Sequence, residues 1–504
     1  MKKNPYSKIG YFISELRKRR GLSKKAFADL LETSVSVVNK MEAGEQNMST
    51  AQLVRISEIL NHNILSLKEG LDFEIEGGHK LHGVISTNPS KNGALHLMTA
   101  SLLNKSTTIL YNIPRIEEIF RMIEVFDSIG VNVEWIERNT IKITPPKSYR
   151  LAKINSSSAS KMRSVLMIIG AMIHKKSSFN IPHAGGCNMG ERTIAAHKHV
   201  FEAFGVKIKT RTNHYEIKRK KLKPTEIIMY EASDTATTNA LVAASLIPGT
   251  TIIKYAPPNY EVQDVCFLLE KFGVKIDGIG TTTLTVTGVE EINQEIEHYN
   301  SEDPIESMMF ISAALVTNSK LKVKRCPIDF LEVELLKLKY MNAKFQISKS
   351  YLSKNKRTKL VDITVLPSKL IASPTKIHPL PYPGLNIDNL PFFVPIATQA
   401  LGTTLIHDWT WENRAIYFTE LNKLGANVSL ADPHRVFING PTPLHSAQVI
   451  CPPALRPAVI ILIAMLAAKG TSILRNVYPI ERGYELIAER LSSIGAKIKV
   501  INDL

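Results

Sequence analysis

One short pattern occurs six times along the 504 residues of this chain. In each copy a helical apolar segment ends at a turn residue, and a short β segment follows directly. The turn residues stand at positions 130, 205, 273, 342, 425 and 495. Five are Gly and one is Asn, the residues that most readily take a positive φ at the end of a helix. We therefore expect a fold built from six copies of one α/β unit.

Each unit has to bury the apolar face of its helix. Alternating segments such as Thr283–Thr287 predict strands, and the apolar segment Ser160–His174 predicts a helix. Units of this kind can place helices inside and sheets outside when they are grouped, and two groups of three are the simplest arrangement. The cleft between two such lobes is a natural substrate site.

Composition and charge narrow the class of protein. The polar N-terminus is no signal peptide, and the longest apolar run, Ala458–Ala468, is too short to span a membrane. Four scattered cysteines indicate neither a disulfide scaffold nor a zinc site, so we expect a reducing cytoplasm, no metal and no cofactor. The formal net charge is +17, shared between the first 70 residues and the rest. This positive charge favours nucleic acid or phosphorylated substrates as partners. The other interpretation is a solvated lysine-rich surface.

The first 70 residues predict a small all-α domain. Ser23 and Ser34 stand where N-caps would begin two helices with apolar residues at helical spacing. The string from Leu22 to Gly44 resembles the helix-turn-helix of the XRE/Cro family. In that family the helix that begins at Ser34 lies in the major groove, so the resemblance implies DNA binding. The implied DNA-binding residues are Ser34, Val35, Ser36, Asn39 and Lys40.

Two features leave another role open for this domain. The valines of the implied recognition helix can touch thymine methyl groups but cannot form bidentate bonds with guanine or adenine. Glu32 stands where the family usually has a glycine in the turn. Dimerisation or contact with another protein is the alternative.

A cysteine lies among glycines in the segment Gly185–Arg192. Glycines let a backbone move over a ligand. The nearby Arg192 can hold an anion and lower the pKa of the Cys187 thiol. The other interpretation of this segment is a glycine turn that contains a small buried thiol.

Seven motifs follow one another in the order typical of one enzyme family. They are Pro89–Leu95, Met162–Ser164, Gly185–Arg192, Tyr382–Asp388, Trp411–Arg414, Leu455–Arg456 and Glu481–Tyr484. Together with the six units, they make the chain from about Gly77 to its end resemble the enolpyruvyl transferases. The resemblance implies two lobes of six repeated α/β units, an inside-out α/β barrel, after the small all-α domain. The implied limits are residues 1–70 for the small domain, 73–90 plus 300–504 for lobe I, and 91–299 for lobe II with Cys187.

The resemblance also implies a reaction. The enolpyruvyl group of phosphoenolpyruvate passes to the 3-hydroxyl of UDP-N-acetylglucosamine and phosphate leaves, by addition and elimination. This is the first committed step of peptidoglycan synthesis, on which cell shape, the cell cycle and cell division depend. Arg binds carboxylate and phosphate bidentately, and Lys binds them as a point charge.

Roles carry over to the residues that match the family's motifs. Cys187 is the implied acid, Asp388 the implied base and Lys91 a third catalytic residue. The residues implied to bind phosphoenolpyruvate are Lys91, Arg192, Arg456 and Arg482. Those implied to bind the UDP sugar are Asn92, Arg163, Ser233, Asp388 and Arg414.

The chain departs from the family's pattern around the nucleotide. Thr193–Ala196 replaces a segment that contacts uracil, and Glu231 and Asp234 stand in a segment that helps to hold the diphosphate. Carboxylates there disfavour a diphosphate because the charges are alike. Two alternatives follow. One is a DNA-binding transcriptional regulator whose transferase-like part senses a cell-wall precursor without turnover, and the other is a transferase with a different acceptor sugar.

Overall fold

The computed structural model of the chain describes residues 5–60, 71–185 and 193–502. It separates into two compact units, of which the larger is Phe73–Val500. The smaller unit contains the helices α1 (Pro5–Arg19), α2 (Lys24–Leu30), α3 (Val35–Ala43) and α4 (Thr50–Leu60). Their apolar faces meet in a core of Ile13, Leu16, Phe27, Ala28, Val38, Met41, Met48, Leu53, Ile56 and Leu60.

The predicted N-caps of the smaller unit are confirmed. Ser23 Oγ accepts a hydrogen bond from the Ala26 amide at 3.1 Å, and Ser34 Oγ accepts one from the Val37 amide at 3.3 Å. Each bond satisfies one of the amides that the first turn of a helix leaves without a partner. The two helices therefore begin where the serines predict.

Helices and strands alternate along the larger unit. Its α-helices are α5 (Lys91–Ser101), α6 (Glu117–Ile129), α7 (Ser156–Ala159), α8 (Ile168–Met172), α9 (Ala195–Ala203), α10 (Asp234–Ser245), α11 (Tyr260–Lys271), α12 (Pro304–Val316), α13 (Glu332–Tyr340), α14 (Phe393–Thr398), α15 (Leu455–Ala467), α16 (Tyr478–Glu481) and α17 (Ile487–Ser492). Short 3-10 helices cover Leu151–Lys153, Ser164–Met167, Ile328–Phe330, Leu390–Phe392 and Ala415–Leu424. Among the residues described, no helix combines the length and hydropathy that crossing a membrane requires.

The strands of the described chain form six sheets. The strands are β1 (Leu71–Gly77), β2 (Val84–Ser86), β3 (Thr108–Tyr111), β4 (Asn132–Glu137), β5 (Thr140–Thr144), β6 (Ser178–Pro182), β7 (Val206–Thr210), β8 (His214–Arg219), β9 (Glu226–Ile228), β10 (Gly249–Lys254), β11 (Lys275–Asp277), β12 (Thr283–Gly288), β13 (Ile296–Tyr299), β14 (Leu321–Pro327), β15 (Lys344–Ile347), β16 (Tyr351–Leu352), β17 (Lys359–Leu366), β18 (Gly402–His407), β19 (Asn427–Asp432), β20 (Arg435–Gly440), β21 (Gln448–Ile450), β22 (Gly470–Arg475) and β23 (Lys497–Asn502). Three sheets fall within residues 108–299, in the orders β13-β3-β5-β4, β6-β8-β7 and β11-β12-β10-β9. The other three have the orders β21-β22-β1-β23, β15-β17-β14-β2 with β16 beside β17, and β18-β20-β19.

Helices occupy the interior of the larger unit and sheets face the solvent. We refer to residues 91–299 as lobe II and to the rest of this unit as lobe I. Every residue of α12 is buried, and so are Leu455–Leu466 of α15 and Ala236–Ser245 of α10. Strands β7 and β12 instead alternate buried residues with more exposed ones, because only one face of each sheet packs on the helices. This is the predicted inside-out arrangement.

The six predicted turn residues all adopt a positive φ. The angles are 95° at Gly130, 84° at Gly205, 88° at Gly273, 61° at Asn342, 86° at Gly425 and 97° at Gly495. At Gly130 the amide also bonds back to the Asp127 carbonyl at 3.0 Å, which closes the end of α6. The residue pattern thus predicts the ends of the repeated helices correctly.

Candidate active site

A cavity of about 240 Å³ lies between the two lobes of the larger unit. Lobe II contributes the first turns of α5, α6, α10 and α11 and the chain around Arg163, while lobe I contributes Asn386–Asp388, Arg414, the start of α15 and Arg482. The charged residues that line it are Lys91, Glu118, Arg163, Asp234, Glu261, Asp388, Arg414, Arg456 and Arg482. Because both lobes supply charges, a ligand bound here contacts both.

The structure brings most of the predicted substrate residues into this cavity. Those that line it are Lys91, Asn92, Arg163, Asp388, Arg414, Arg456 and Arg482. Ser233 is not among the lining residues. Its hydroxyl caps α10 and accepts a hydrogen bond from the Ala236 amide at 3.4 Å. Cys187 and Arg192 lie outside the described residues.

Glu118 joins a cation from each lobe. Ser90 Oγ accepts a hydrogen bond from the Gly93 amide at 3.0 Å, which fixes Lys91 in the first turn of α5. Lys91 Nζ donates to Glu118 Oε2 at 2.6 Å, and Arg482 Nη2 donates to Glu118 Oε1 at 2.8 Å. Burial raises the pKa of Glu118, but the charges of Lys91 and Arg482 hold it below its ordinary value. The carboxylate therefore stays ionised and holds both cations at the cavity wall.

Asp388 lies between two arginines of lobe I. Its Oδ2 accepts a hydrogen bond from Arg456 Nη2 at 3.1 Å, and its Oδ1 is 3.8 Å from Arg414 Nη1. Burial raises the pKa of Asp388, but Arg456, Arg414 and Lys91 together hold it below the ordinary value. An ionised carboxylate in a cavity can accept a proton from a hydroxyl group.

Arg414 and Arg456 are themselves fixed by buried partners. Arg414 Nη2 donates to Asp408 Oδ1 at 2.9 Å and to the Ile387 carbonyl at 2.8 Å. Arg456 Nη1 donates to the Tyr484 hydroxyl at 2.7 Å, and its guanidinium carbon lies 5.4 Å from the centre of that ring. Side chains held at several points lose little freedom when a ligand binds, so they are preorganised for an anion.

On the predicted nucleotide side of the cavity, two of the residues implied to bind the UDP sugar are hydrogen-bonded within the chain. Asn92 Nδ2 donates to Glu261 Oε1 at 3.1 Å, and Arg163 Nη2 donates to the Thr193 carbonyl at 2.5 Å. Of the two unusual carboxylates, Asp234 lines the cavity, whereas Glu231 is exposed and is not a lining residue.

The predicted DNA-binding residues of the smaller unit lie at the exposed start and along one side of α3. Ser34, Val35, Ser36, Asn39 and Lys40 are exposed, while Val38 and Met41 turn into the core. Val35 and Asn39 stand four residues apart, as do Ser36 and Lys40, so each pair lies on one face and the two pairs together form a continuous surface. Asn39 Oδ1 accepts a hydrogen bond from Lys24 Nζ at 2.6 Å. This leaves the amide NH₂ of Asn39 to contact a ligand.

Two family descriptions match the chain. EPSP synthase (3-phosphoshikimate 1-carboxyvinyltransferase) matches residues 75–491. Helix-turn-helix matches residues 13–64. The first match covers most of the chain, and the second falls on the segment with the predicted recognition helix.

Curated relatives and solved structures agree with these matches. The UDP-N-acetylglucosamine 1-carboxyvinyltransferase of Treponema denticola is 36% identical over 431 residues, which are 85% of this chain and 99% of the relative. The protein of the same name from Borreliella burgdorferi is 31% identical over 429 residues, which are 85% and 98% of the two chains. The enolpyruvyl transferase NikO from Streptomyces tendae superposes with a TM-score of 0.75 at 21% identity, over 86% of this chain and 100% of its own. EPSP synthase from Acinetobacter baumannii gives a TM-score of 0.68 at 17% identity with the same coverage. The predicted resemblance and fold class are confirmed.

Proposed function

This chain belongs to the EPSP synthase family of enolpyruvyl transferases, and on that premise we propose that it transfers the enolpyruvyl group of phosphoenolpyruvate to the 3-hydroxyl of UDP-N-acetylglucosamine. The observation that carries the proposal is the convergence of Lys91, Arg456, Arg482 and Asp388 on one cavity between the lobes. The relatives that carry the name of this activity support the same acceptor. In a bacterium that makes peptidoglycan, the reaction commits the nucleotide sugar to the cell wall, and cell shape and division depend on it.

Phosphoenolpyruvate is bound in this proposal by cations from both lobes. Lys91 and Arg482 already lie close together through Glu118, and Arg456 lies on the opposite lobe from Lys91. A carboxylate and a phosphate on one small molecule need several donors at once, which two guanidinium groups and an ammonium provide. Arg192 of the glycine loop adds a fourth cation. Asn92, Arg163, Arg414 and Ser233 are assigned to the UDP sugar.

The chemistry requires one base and one acid. Asp388 takes the proton of the 3-hydroxyl while the oxygen of that hydroxyl bonds to C2 of phosphoenolpyruvate. Cys187 delivers a proton to C3. The tetrahedral adduct then returns a proton from C3 to the Cys187 thiolate and breaks the bond between C2 and the phosphate oxygen, and the leaving phosphate takes the proton held by Asp388. Enolpyruvyl sugar and phosphate leave. Lys91 stabilises the negative charge on the phosphate in both steps.

The test is release of phosphate from phosphoenolpyruvate with and without acceptor. We expect release only when UDP-N-acetylglucosamine is present. Replacing Cys187 by Ala is expected to slow it about 100-fold, since water is a poorer proton donor than a positioned thiol. Binding of both ligands without release, with Cys187→Ala behaving like the parent, would support a sensor and refute the enzyme.

We propose the lobe limits that the sequence predicts, and we propose that the protein acts in the cytoplasm. Lobe I comprises residues 73–90 and 300–504, and lobe II comprises residues 91–299. Among the described residues Cys266, Cys326 and Cys451 are buried and form no disulfide, which suits a reducing cytoplasm.

A second role, in DNA binding, is favoured by the exposed face of α3 in the smaller unit. Val35, Ser36, Asn39 and Lys40 lie on that face with the geometry of a recognition helix. Lys40 is the residue best suited to a phosphate, because it alone on this face carries a positive charge. We propose that the domain ties the transferase to DNA.

Lys40→Gln tests this role in the full-length chain. Each phosphate contact contributes about 0.9 to the slope of log affinity against log salt. We expect the variant to lower that slope by about one on a mixed-sequence DNA duplex, measured by fluorescence anisotropy. Lys18→Gln on α1, an exposed lysine paired with Glu15 at 3.0 Å, is the matched control. Equal slopes for the parent and both variants would count against DNA and for a protein-contact domain.

A further inference from the structure

Two carboxyl groups of lobe II line the cavity, and each has one buried oxygen without a hydrogen-bond partner. Asp234 begins α10 and Glu261 lies in the first turn of α11, and both line the cavity. Glu261 is only 4% exposed, and its Oε2 has no hydrogen-bond partner. Asp234 Oδ2 accepts a hydrogen bond from Asn259 Nδ2 at 3.3 Å, but its buried Oδ1 has no partner.

This arrangement costs stability when the cavity is empty. A buried carboxyl oxygen without a donor loses its hydration and gains nothing in return. Burial and the charge of Asp234 raise the pKa of Glu261 well above its ordinary value. Burial and the charge of Asp388 also raise the pKa of Asp234, to about 6 in spite of the bond from Asn259. A cation bound in the cavity beside such a pair stabilises the ionised form of both carboxyls.

The charge of the pair selects the kind of ligand. The raised pKa values show that the site disfavours negative charge, so an anionic group binds poorly there, whereas an ammonium group offers several N–H donors and a positive charge that favours the ionised form of both carboxyls. The pair also lies on the sugar side of the cavity, because Asn92, which is assigned to the sugar, donates to Glu261 Oε1 at 3.1 Å. The group that meets the pair is therefore an amine on the sugar.

We infer that Asp234 and Glu261 form a subsite for a protonated amine, so that the chain accepts a UDP amino sugar with a free amine alongside the N-acetylated one. The two carboxyls set the choice between these acceptors. The inference rests on the proposed transferase reaction and names the acceptor class that its site selects.

The experiment compares two acceptors that differ only in the acetyl group, UDP-glucosamine and UDP-N-acetylglucosamine. Phosphate release gives kcat/KM for each, and the ratio of the two values is the readout, so that a general loss of activity cancels. Asp234→Asn and Glu261→Gln are each expected to lower the ratio of free amine to N-acetyl about ten-fold, the effect of losing a charge-assisted hydrogen bond. Asp277→Asn, an exposed carboxylate of lobe II paired with Lys275, is the matched control and keeps the parent's ratio.

The outcomes separate this inference from the reaction on which it rests. Release with UDP-N-acetylglucosamine but none with UDP-glucosamine overturns the subsite, and so does a ratio that neither variant changes. Release with neither acceptor refutes the proposed reaction, and calorimetric titration with the two nucleotides then decides the subsite. In that case Asp234→Asn must weaken UDP-glucosamine about ten-fold more than UDP-N-acetylglucosamine, and equal weakening overturns the inference. Circular dichroism identifies a variant that fails to fold, and the other variant then gives the result.

Discussion

Asp388→Asn is expected to lower kcat for acceptor-dependent phosphate release about 1,000-fold. The amide oxygen of Asn can still accept the hydrogen bond that Arg456 Nη2 donates to Asp388 Oδ2 at 3.1 Å, so the local geometry is kept. What the variant loses is a group that can take the proton of the acceptor hydroxyl. The measurement is steady-state phosphate release at saturating concentrations of both substrates.

The split between kcat and KM distinguishes a base from a mere partner of the arginines. Removing a negative charge between Arg456 and Arg414 makes the cavity more positive, so KM for phosphoenolpyruvate is not expected to rise. Asp329→Asn makes the same chemical change at a half-exposed position of lobe I that does not line the cavity, and it should leave kcat as in the parent. A kcat for Asp388→Asn within ten-fold of the parent's would mean that the carboxylate only positions the arginines.

The repeated turns made the fold predictable, because few residue types adopt a positive φ readily. Gly or Asn at the six turn positions is required by local backbone geometry, and this requirement is visible without tertiary information.

The helix predicted over Ser160–His174 was wrong in part. The chain forms a 3-10 helix at Ser164–Met167 before α8 begins at Ile168, and Arg163 bonds to the Thr193 carbonyl just ahead of it. Apolar periodicity does not show such a tertiary contact.

The residues of the candidate site were predictable where they stand in a sequence motif. They were not predictable where their role depends on a bonding partner far along the chain. Lys91, Asp388 and Arg456 stand in motifs and line the cavity. Glu118 and Glu261 were missed, because an acidic residue in the first turn of a helix is common and usually interacts only with the helix end. Glu118 becomes part of the site only when Arg482, 364 residues away, folds back onto it. Distance along the chain conceals such pairs.

The role of the Arg414–Asp408 pair follows from complete burial, which the sequence does not show even though the two residues are close along the chain. Both side chains are fully buried, and Arg414 bonds to Asp408 through Nε and through Nη2 at 2.9 Å. Arg414→Met keeps the length of the side chain but leaves Asp408 charged in the core without a partner. Breaking one side of a buried pair typically costs about 3–5 kcal/mol, so the free energy of unfolding should fall by about that amount. Denaturant unfolding followed by tryptophan fluorescence measures it.

Two comparisons show whether the unpaired Asp408 causes that loss. Arg435→Met removes the arginine of an exposed pair with Asp432 in the same lobe, and it should leave the unfolding midpoint unchanged. Adding Asp408→Asn to Arg414→Met removes the stranded charge, so the double variant should be more stable than Arg414→Met alone. If the double variant is no more stable, the loss comes from the packing around Arg414 and its bond to the Ile387 carbonyl. The loop that carries Asp388 then depends on the shape of the arginine and not on its charge.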